Sequence, residues 1–454
     1  ASANAGLVLD GRRMDLWHAA LNSRGRFVPA PNAQALVNAF QTILDDILTQ
    51  TARPLVSIAT SSSRASAGNY AFVAGYDSAA NWSGSLKAFA INQTTNLPAT
   101  TPTWQAQVQL DNLSATAIAN RVILTHDGTQ GRGFKWANLS SDQQLALRGS
   151  TSVPTGTGTE RVNYLRGDRS QESTQPNGYM RNRSSRLGDI VNSNIWHLGT
   201  PKRQPFELSG HASFRSAQAQ RTPTLYVGAN DGMLHAFNAK NGQEMMAYVP
   251  LGLYGSETFS PLRALTQTSY SHRYFVDGSP FTGDVNVAAY SGGVDWRTLL
   301  VGSLGAGGKG YFVLDVTNPS NFVDPGAGSS AIVRLDTTGT TDPNIGHIFA
   351  TPVLNEVADS GQIVRVNDSV AGGRWAVILG NGYNSTNQRP ALIVQYLDGN
   401  MDRRVIPVTA PSATGQGNGL GAPRPVDLNG DGKVDLVYAG DLKGNLWKLS
   451  LIHI

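Results

Sequence analysis

Oxygen-bearing side chains recur at alternate positions of the short segment Asp427–Asp435, and together they could bind a hard cation. They stand at positions 1, 3, 5 and 9 of the segment and belong to Asp427, Asn429, Asp431 and Asp435. Ca²⁺ takes several oxygen ligands at roughly 2.3–2.6 Å, and alternate residues of a tight loop can aim at one centre. Gly430 and Gly432 permit the backbone angles of such a turn. The spacing therefore predicts a calcium site.

Position 7 of the segment, Lys433, is expected to offer its backbone carbonyl, as position 7 does in an EF-hand loop, with its ammonium group pointing outward. The segment is not an EF-hand, because position 12 is Tyr438 where that loop has a bidentate glutamate. The residues that follow, Leu436–Gly440, have the composition of a β-strand. The alternative is a polar turn that joins two strands. We favour the cation site, because three carboxylates within nine residues repel one another unless a cation lies among them.

The composition indicates a large β-rich protein without thiol chemistry. The chain has 454 residues, with 49 Gly, 22 Pro and 15% charged residues, which favours many short strands and turns. It has no Cys, which excludes disulfides and thiolate metal sites. The net charge of +4 comes from scattered Lys and Arg, so we expect no nucleic-acid partner. No run of the sequence is apolar enough to cross a bilayer. The chain opens as though inside a larger protein, so the lack of a signal peptide does not indicate the cytoplasm.

One early segment has a helical pattern, and four later segments share a hairpin pattern. Apolar residues recur at helical spacing in residues 32–50, after Asn32 as a helix N-cap. Each hairpin segment has a glycine at the end of its first strand; these are Gly228, Gly302, Gly380 and Gly440, at intervals of 74, 78 and 60 residues. Such recurring hairpins, with further strands between them, are typical of β-propeller blades. Residues 70–91 form a looser fifth copy. Residues 149–158, rich in Ser, Thr and Gly, are predicted to be a mobile loop.

Other polar groups are weaker candidates for a site. His235, His272 and His347 stand singly, and we expect them to pack in the core or face solvent. The segments 230–232 and 441–445 could be weak cation loops, but hairpin turns explain them better. The sequence has no recognisable nucleophile motif and no phosphate-binding loop. We therefore do not expect an enzyme.

Several motifs along the chain resemble the PilC/PilY family, the large type IV pilus-associated proteins of Gram-negative bacteria. The similar segments are residues 15–22, 82–84, 165–170, 181–193, 226–237, 274–280 and 380–385. The resemblance implies a mainly β fold: a modified β-propeller, seven-bladed in the family, with a short helical N-terminal segment. The family's calcium loop comes just before a blade strand, as Asp427–Asp435 does here. Because the chain ends at Ile454, one strand past the loop, we expect the propeller to be incomplete here.

The resemblance also implies a division of the chain into three parts. Residues 1–54 correspond to the end of a von Willebrand A-like domain or to a linker helix. Residues 55–200 are a β-rich connecting region. Residues 201–454 hold the propeller blades and the calcium loop.

The function implied by the resemblance is that of a calcium-dependent type IV pilus biogenesis factor and tip-associated adhesin. In such proteins calcium binding regulates pilus extension versus retraction, and with it twitching motility, host-surface attachment and virulence. The implied partners are the minor pilins at the pilus tip and a host-cell receptor such as an integrin. The implied location is the cell surface of a Gram-negative bacterium, pilus-associated or at the outer membrane.

The tripeptide Arg166-Gly167-Asp168 is the candidate for integrin recognition, because binding through this tripeptide has been proposed within the family. The alternative is an ordinary structural turn in a polar segment. We favour the turn, since three residues match easily by chance and no metal loop lies just upstream.

Two other functions compete with the pilus hypothesis. Quinoprotein dehydrogenases also combine calcium with Trp-rich propeller repeats, and the segment Tyr226–Gly232 resembles their blade motif. Many of them carry a disulfide between adjacent cysteines, which this chain cannot form. In the other alternative the calcium loop is only a staple within a surface propeller, and the sequence fits both a staple and a regulatory switch.

Overall fold

The computed structural model describes residues 55–60 and 69–451, apart from 93, 96, 205–207, 350–360, 369–371 and 409–416. The predicted helix in residues 32–50 and the predicted end of a von Willebrand A-like domain in residues 1–54 lie outside the described residues. One compact unit of the chain comprises residues 55–454, and the described residues all belong to it.

The described strands form five sheets, which we number I to V in chain order. Sheet I contains β1 (Leu55–Thr60), β2 (Tyr70–Asp77), β3 (Ser83–Ala90) and β4 (Trp104–Gln105). Sheet II contains β5 (Ile123–His126), β6 (Gly131–Gly133), β7 (Trp196–Leu198), β8 (Thr224–Ala229), β9 (Met233–Asn238) and β10 (Glu244–Val249). Sheet III contains β11 (Phe281–Asn286), β12 (Trp296–Ser303), β13 (Tyr311–Asp315) and β14 (Val333–Asp336). Sheet IV contains β15 (Ile363–Val366), β16 (Arg374–Gly380), β17 (Ala391–Tyr396) and β18 (Arg403–Pro407). Sheet V contains β19 (Arg424–Val426), β20 (Leu436–Gly440) and β21 (Leu446–Ser450).

Sheets I, III, IV and V are antiparallel meanders whose strands lie in chain order, which is the arrangement of a propeller blade. The hairpins that the turn glycines predict are confirmed, as β8–β9, β12–β13, β16–β17 and β20–β21, and the looser copy is β2–β3. Sheet II differs: its order is β6-β5-β10-β9-β8-β7, and β10 pairs with β5 in parallel. The boundary that we predicted at residue 200 therefore falls inside sheet II.

The described helices are short and lie between the strands. They are α1 (Ala106–Asp111), α2 (Ala115–Ala119), α3 (Ser141–Arg148), α4 (Thr155–Leu165), α5 (His211–Ala217) and α6 (Pro261–Leu265), with 3₁₀ turns at Trp136–Asn138, Leu251–Leu253, Ala289–Ser291, Gly305–Gly307 and Pro319–Asn321. Within the described part of the chain, no helix has the length and apolar character needed to cross a membrane.

Helix α4 corrects, for residues 155–158, the prediction that residues 149–158 form a mobile loop, whereas residues 149–154 lie in turns and bends outside any helix or strand. A Cβ on Gly158 would lie 2.2 Å from the Trp136 ring, so the glycine lets α4 pack directly on that tryptophan. Val162 and Leu165 of the same helix are buried in the core. Tertiary packing thus outweighs the poor helix propensity of a Gly- and Thr-rich segment.

The central strands bury both of their faces, because a sheet lies on either side of them. In β8, Leu225 and Val227 pack in a core shared with sheet I, whereas Tyr226 packs in the large core of sheets II to IV. In β16, Val377 belongs to that large core and Ile378 to a third core shared with sheet V. Alternate residues of a strand point to opposite faces, so each face needs its own neighbour. Full burial of one such Val or Leu contributes roughly 1.5–3 kcal/mol.

Gly228 and Gly380, two of the four turn glycines, lie where the segment leading into the next sheet comes closest. A Cβ on Gly302 would instead meet the Phe312 ring of its own hairpin at 2.4 Å, and one on Gly440 would make only an ordinary contact. A Cβ on Gly228 would lie 2.3 Å from the carbonyl oxygen of Val276, before sheet III, and one on Gly380 would lie 2.0 Å from that of Gly421, before sheet V. Gly84 makes the same approach to Gly188, before the β7 edge of sheet II. Only glycine leaves room for a carbonyl at these distances.

A polar side chain just after the turn glycine binds the same incoming segment. The Asn230 Oδ1 accepts from the Phe275 amide at 2.8 Å, and the Asn381 Oδ1 accepts from the Leu420 amide at 2.9 Å. The Ser303 hydroxyl donates to the Ile348 carbonyl at 2.9 Å. In sheets II, III and IV the hairpin repeat of the sequence therefore coincides with a junction to the next segment of the chain.

The substitution Gly228→Ala tests this junction. The added methyl group must displace the Val276 carbonyl, so we expect a loss of roughly 1–3 kcal/mol in the free energy of unfolding. Gly156→Ala is the control, because a Cβ there meets nothing within 4 Å and the position lies in helix α4. It should leave stability unchanged or raise it by up to about 1 kcal/mol. Equal denaturation midpoints for Gly228→Ala and the wild type would contradict the close-approach account.

Candidate metal site

The segment Asp427–Asp435 is the connection of the β19–β20 hairpin. Val426 and Leu436 are paired across the hairpin, and the Asp435 amide donates to the Val426 carbonyl at 3.0 Å. The first and last positions of the loop are therefore held close together by the sheet. The strand that we predicted directly after the loop is confirmed as β20.

Asp427 organises the first half of the loop. Its Oδ1 accepts from the Gly430 amide and its Oδ2 from the Gly432 amide, each at 2.8 Å. Both glycines have positive φ, 76° and 80°, which L-residues with side chains rarely adopt. One carboxylate thereby caps two turns of the backbone.

Asn429 and Asp431 each accept one hydrogen bond from a backbone amide two residues ahead. The Asn429 Oδ1 accepts from the Asp431 amide and the Asp431 Oδ1 from the Lys433 amide, each at 2.9 Å. The Lys433 amide lowers the pKa of Asp431, and the Lys433 ammonium group adds to this effect. These contacts keep the Asp431 carboxylate ionised.

Asp435 differs from the other loop carboxylates because it is buried, with 4% of its surface exposed. Its Oδ2 accepts from the Leu428 amide at 2.8 Å. A buried carboxylate is costly unless its charge is paired, and a bound cation is one way to pair it.

The Lys433 side chain does not simply point outward as we expected. Its ammonium nitrogen lies 3.3 Å from the Asp431 Oδ2 and 3.2 Å from the Asn367 Oδ1, just after sheet IV's strand β15. The loop also joins β15 through its backbone, since the Val434 amide donates to the Arg365 carbonyl at 2.8 Å. Arg365 and Asn367 are thus neighbours of the site, and no local sequence pattern links them to residue 433.

The donor set of the loop fits a hard cation, although its carboxylates are not gathered in one place. Among the residues that the structure describes, no three His, Cys, Asp or Glu side chains are close enough to hold a metal ion together. The loop does supply three carboxylates, one amide oxygen and the Lys433 carbonyl within nine residues. Oxygen ligands of this kind and number suit Ca²⁺, which tolerates flexible geometry. Binding would require Asp427 and Asp431 to turn toward Asp435.

Arg166 of the tripeptide Arg166-Gly167-Asp168 is buried, with 3% of its surface exposed. Its guanidinium group donates to the carbonyls of Phe134, Ala119 and Arg121 at 2.9–3.0 Å. An arginine held in this way is not presented to a receptor, so the placement does not support integrin recognition through Arg166.

The remaining two residues of the tripeptide form a local turn. Asp168 is partly exposed, and its Oδ1 accepts from the Ser170 amide at 2.8 Å. Gly167 has a φ of 113°, which accounts for the glycine at this position. The structural turn that we favoured therefore explains all three residues.

Comparisons with known proteins place the chain in one family. A family model described as the PilY1 beta-propeller domain matches residues 187–454. The chain is 38% identical over 459 residues to the type IV pilus biogenesis factor PilY1 of Pseudomonas aeruginosa strain PAK, covering 96% of this chain and 36% of that protein. A PilY1 homolog of Xylella fastidiosa strain Temecula1 is 34% identical over 433 residues, covering 93% of this chain and 31% of that protein. The chain thus spans about a third of the length of these relatives.

The crystal structure of the Pseudomonas aeruginosa PilY1 C-terminal domain also resembles this chain. The two share 35% sequence identity, and the match covers 56% of this chain and 45% of that chain with a TM-score of 0.41.

Away from the loop Asp427–Asp435, sheet II contains a buried cluster of charged side chains centred on His235. The His235 Nδ1 lies 2.8 Å from the Glu244 Oε1, and its Nε2 lies 3.1 Å from the Asp231 Oδ2. Glu244 also accepts two 2.7 Å hydrogen bonds from the Arg121 guanidinium group. Burial lowers the pKa of His235, but the Asp231 and Glu244 carboxylates outweigh it and raise that pKa to about 9. As expected, His235 packs in the core, and its role is that of a buried cation.

This cluster predicts that alkaline pH destabilises the protein. Between about pH 6.5, the ordinary histidine value, and about pH 9, His235 keeps its proton when folded and loses it when unfolded. Its contribution to stability is therefore complete below pH 6.5 and is lost as the pH rises through about 9. One such group lowers the unfolding free energy by up to about 1.4 kcal/mol per pH unit in this window. Denaturation at several pH values should show this slope in the wild type, and an unchanged slope in His235→Gln would contradict the assignment.

Proposed function

The chain belongs to the family defined by the PilY1 β-propeller domain, and from this premise we propose that it is the calcium-binding propeller portion of a type IV pilus biogenesis factor. The relatives of Pseudomonas aeruginosa and Xylella fastidiosa carry names of pilus biogenesis factors. A binding and assembly role, rather than catalysis by a quinoprotein-type propeller, agrees with those names. The proposed location is the bacterial surface, with the pilus and its minor pilins as partners.

The calcium part of the proposal depends mainly on Asp435, a buried carboxylate at the last position of the loop that accepts from the Leu428 amide. Ca²⁺ would be held by the side chains of Asp427, Asn429, Asp431 and Asp435 and by the carbonyl of Lys433. When bound, it supplies the positive charge that lets three carboxylates share one centre.

The position of the loop gives calcium a structural consequence beyond the hairpin itself. The loop binds strand β15 of sheet IV through the Val434 amide and the Lys433 ammonium group. In the described conformation that ammonium group is also a counter-ion of Asp431. A cation drawn to Asp431 competes with Lys433, so occupancy of the loop would change the contact between sheets IV and V.

We propose that this contact is the element that calcium controls during pilus assembly. A ligand shifts an equilibrium only when it binds two states with different affinity, and the loop with and without gathered carboxylates supplies two such states. The calcium-bound state would oppose pilus retraction and the calcium-free state would permit it, with effects on twitching motility and attachment. Integrin recognition through Arg166 is not part of this proposal, because that side chain is buried.

Calorimetry on purified variants tests the ligand set. We expect the wild type to bind Ca²⁺ with a dissociation constant of about 10⁻⁴–10⁻³ M, as extracellular modules do, and more tightly than Mg²⁺. Asp427→Ala should abolish measurable binding, because it removes a carboxylate ligand. Lys433→Ala should keep the affinity or raise it, because only the backbone of Lys433 is a ligand and its ammonium group competes at Asp431.

Asp441→Ala is the matched control for this experiment. Asp441 is the aspartate of the following hairpin turn, and its carboxylate accepts from the Asn445 amide, the Asn418 amide group and the Trp447 indole at 2.9–3.0 Å. Its substitution should leave calcium binding unchanged. If Lys433→Ala loses binding as completely as Asp427→Ala, the assignment of ligands is wrong.

Surface piliation tests the regulatory part. Cells whose only copy of the full-length protein carries Asp427→Ala should assemble few surface pili while retraction runs, and should recover them when the retraction motor is deleted. Asp427→Lys should retain part of the piliation, because its ammonium group replaces some of the cation's charge. The measurement is sheared surface pilin in both backgrounds. Normal piliation of retraction-competent Asp427→Ala cells would reduce the loop to a structural staple.

A further inference from the structure

A cavity of about 430 Å³ lies beside the turn formed by residues 166–168. The apolar part of its lining consists of Leu113, Ala115 and Ile118, from α2 and the residue before its cap. The charged part of the lining includes Arg166, Arg169 and Arg186. The volume is in the range of small-ligand sites, which are commonly about 300–1,000 Å³.

Two of the three arginines have no carboxylate partner among the residues that the structure describes. Arg166 donates to backbone carbonyls, and so does Arg186, whose Nε lies 2.7 Å from the Gly167 carbonyl oxygen and whose Nη1 lies 3.1 Å from that of Leu110. Neither guanidinium group forms an ion pair within the described residues. Backbone carbonyls satisfy the N–H groups but do not neutralise the charge.

Arg169 is the third arginine and is only partly satisfied. Its Nη2 lies 3.0 Å from the Asp111 Oδ1, and its Nε lies 3.9 Å from the Glu172 Oε1. The Nε atom is buried and has no hydrogen-bond partner within the described part of the chain. The side chain as a whole is 32% exposed, so it is reachable from solvent.

The balance of charge around the cavity is positive. Of the described residues, the cavity lining contains one acid, Asp168, and the three arginines. Asp111 is not in the lining and pairs with Arg169. Asp168 already accepts from the Ser170 amide and hydroxyl groups at 2.8 and 3.1 Å. Burial and then the Arg121 charge lower the pKa of Arg166 to about 10, and burial and then the Arg169 charge lower that of Arg186. Both directions indicate positive charge that lacks full compensation.

We propose that this cavity binds a carboxylate, with Arg169 and Arg186 as its direct partners. The planar guanidinium fork matches the two oxygens of a carboxylate, and such charged hydrogen bonds are about twice as strong as neutral ones. The apolar lining of Leu113 and Ile118 suits the methylene groups that carry the carboxylate in a glutamate side chain or a small organic acid. The buried Arg166 sets the positive potential of the site without touching the ligand.

Calorimetric titration of the full chain with two probes tests this proposal and separates the two sources of the carboxylate. The probes are glutarate, as a free organic acid, and a soluble acetylated peptide with two glutamates spaced by glycine. Arg169→Gln should weaken binding of the preferred probe at least about tenfold, because it removes the partly satisfied guanidinium group. Asp168→Asn should strengthen binding several-fold, because it removes the negative charge from the lining.

Arg297→Gln provides the matched control. Arg297 is a half-exposed arginine on β12 that pairs with Asp295 and Asp315 outside this cavity. Its substitution should leave binding unchanged, and melting temperatures of all variants should stay close to that of the wild type. Tighter binding by Asp168→Asn together with loss in Arg169→Gln supports the site, since a purely structural role predicts neither. Lack of saturable binding of both probes by the wild type up to about 10 mM, or equal affinity in Arg169→Gln, would overturn it.

Discussion

The structure depends on strands that are apolar on both faces. A strand such as β8 or β16 cannot leave either face in water, so each central sheet needs a neighbour on both sides. This requirement orders the sheets along the chain and places a core between each pair. It also brings the connecting segments together at the strand ends, where Gly228 and Gly380 leave room for the incoming backbone. These two glycines are therefore needed because the sheets pack so closely.

The loop Asp427–Asp435, the proposed calcium site, makes a separate contact between sheets IV and V at the end of β15. The same side chains of the loop serve two purposes in this account. Asp427, Asn429 and Asp431 cap the turns of the loop through their oxygens, as in any polar hairpin connection. Their spacing also fits a cation site. Side chains that accept from amides a few residues ahead place oxygen atoms at every second residue, which is the spacing a cation site needs. The polar turn and the cation site are therefore not exclusive alternatives. Asp435 distinguishes them, since a turn alone does not require a buried carboxylate.

The features that local pattern determines could be predicted from the sequence, and the features that depend on distant packing could not. The hairpins, their turn glycines and the loop before β20 are local, so composition and spacing located them. The parallel pairing of β10 with β5 joins residues more than a hundred positions apart, and no periodicity signals it. The Gly- and Thr-rich start of helix α4 indicated a loop, because the contact of Gly158 with Trp136 that favours the helix cannot be read from local sequence. In the same way, the burial of Arg166 and the pairing of Lys433 with Asn367 arise from tertiary contacts.

Hydrogen exchange of the full chain with and without Ca²⁺ tests most directly whether the loop connects calcium to the contact between sheets. The informative amides are those of the loop, including Val434, and those of strand β15 on the neighbouring sheet. If calcium controls this contact, its addition changes exchange both in residues 427–440 and in residues 363–366, and Asp427→Ala abolishes both changes. A change confined to the loop, with β15 unaffected, would contradict the account and leave calcium as a local staple.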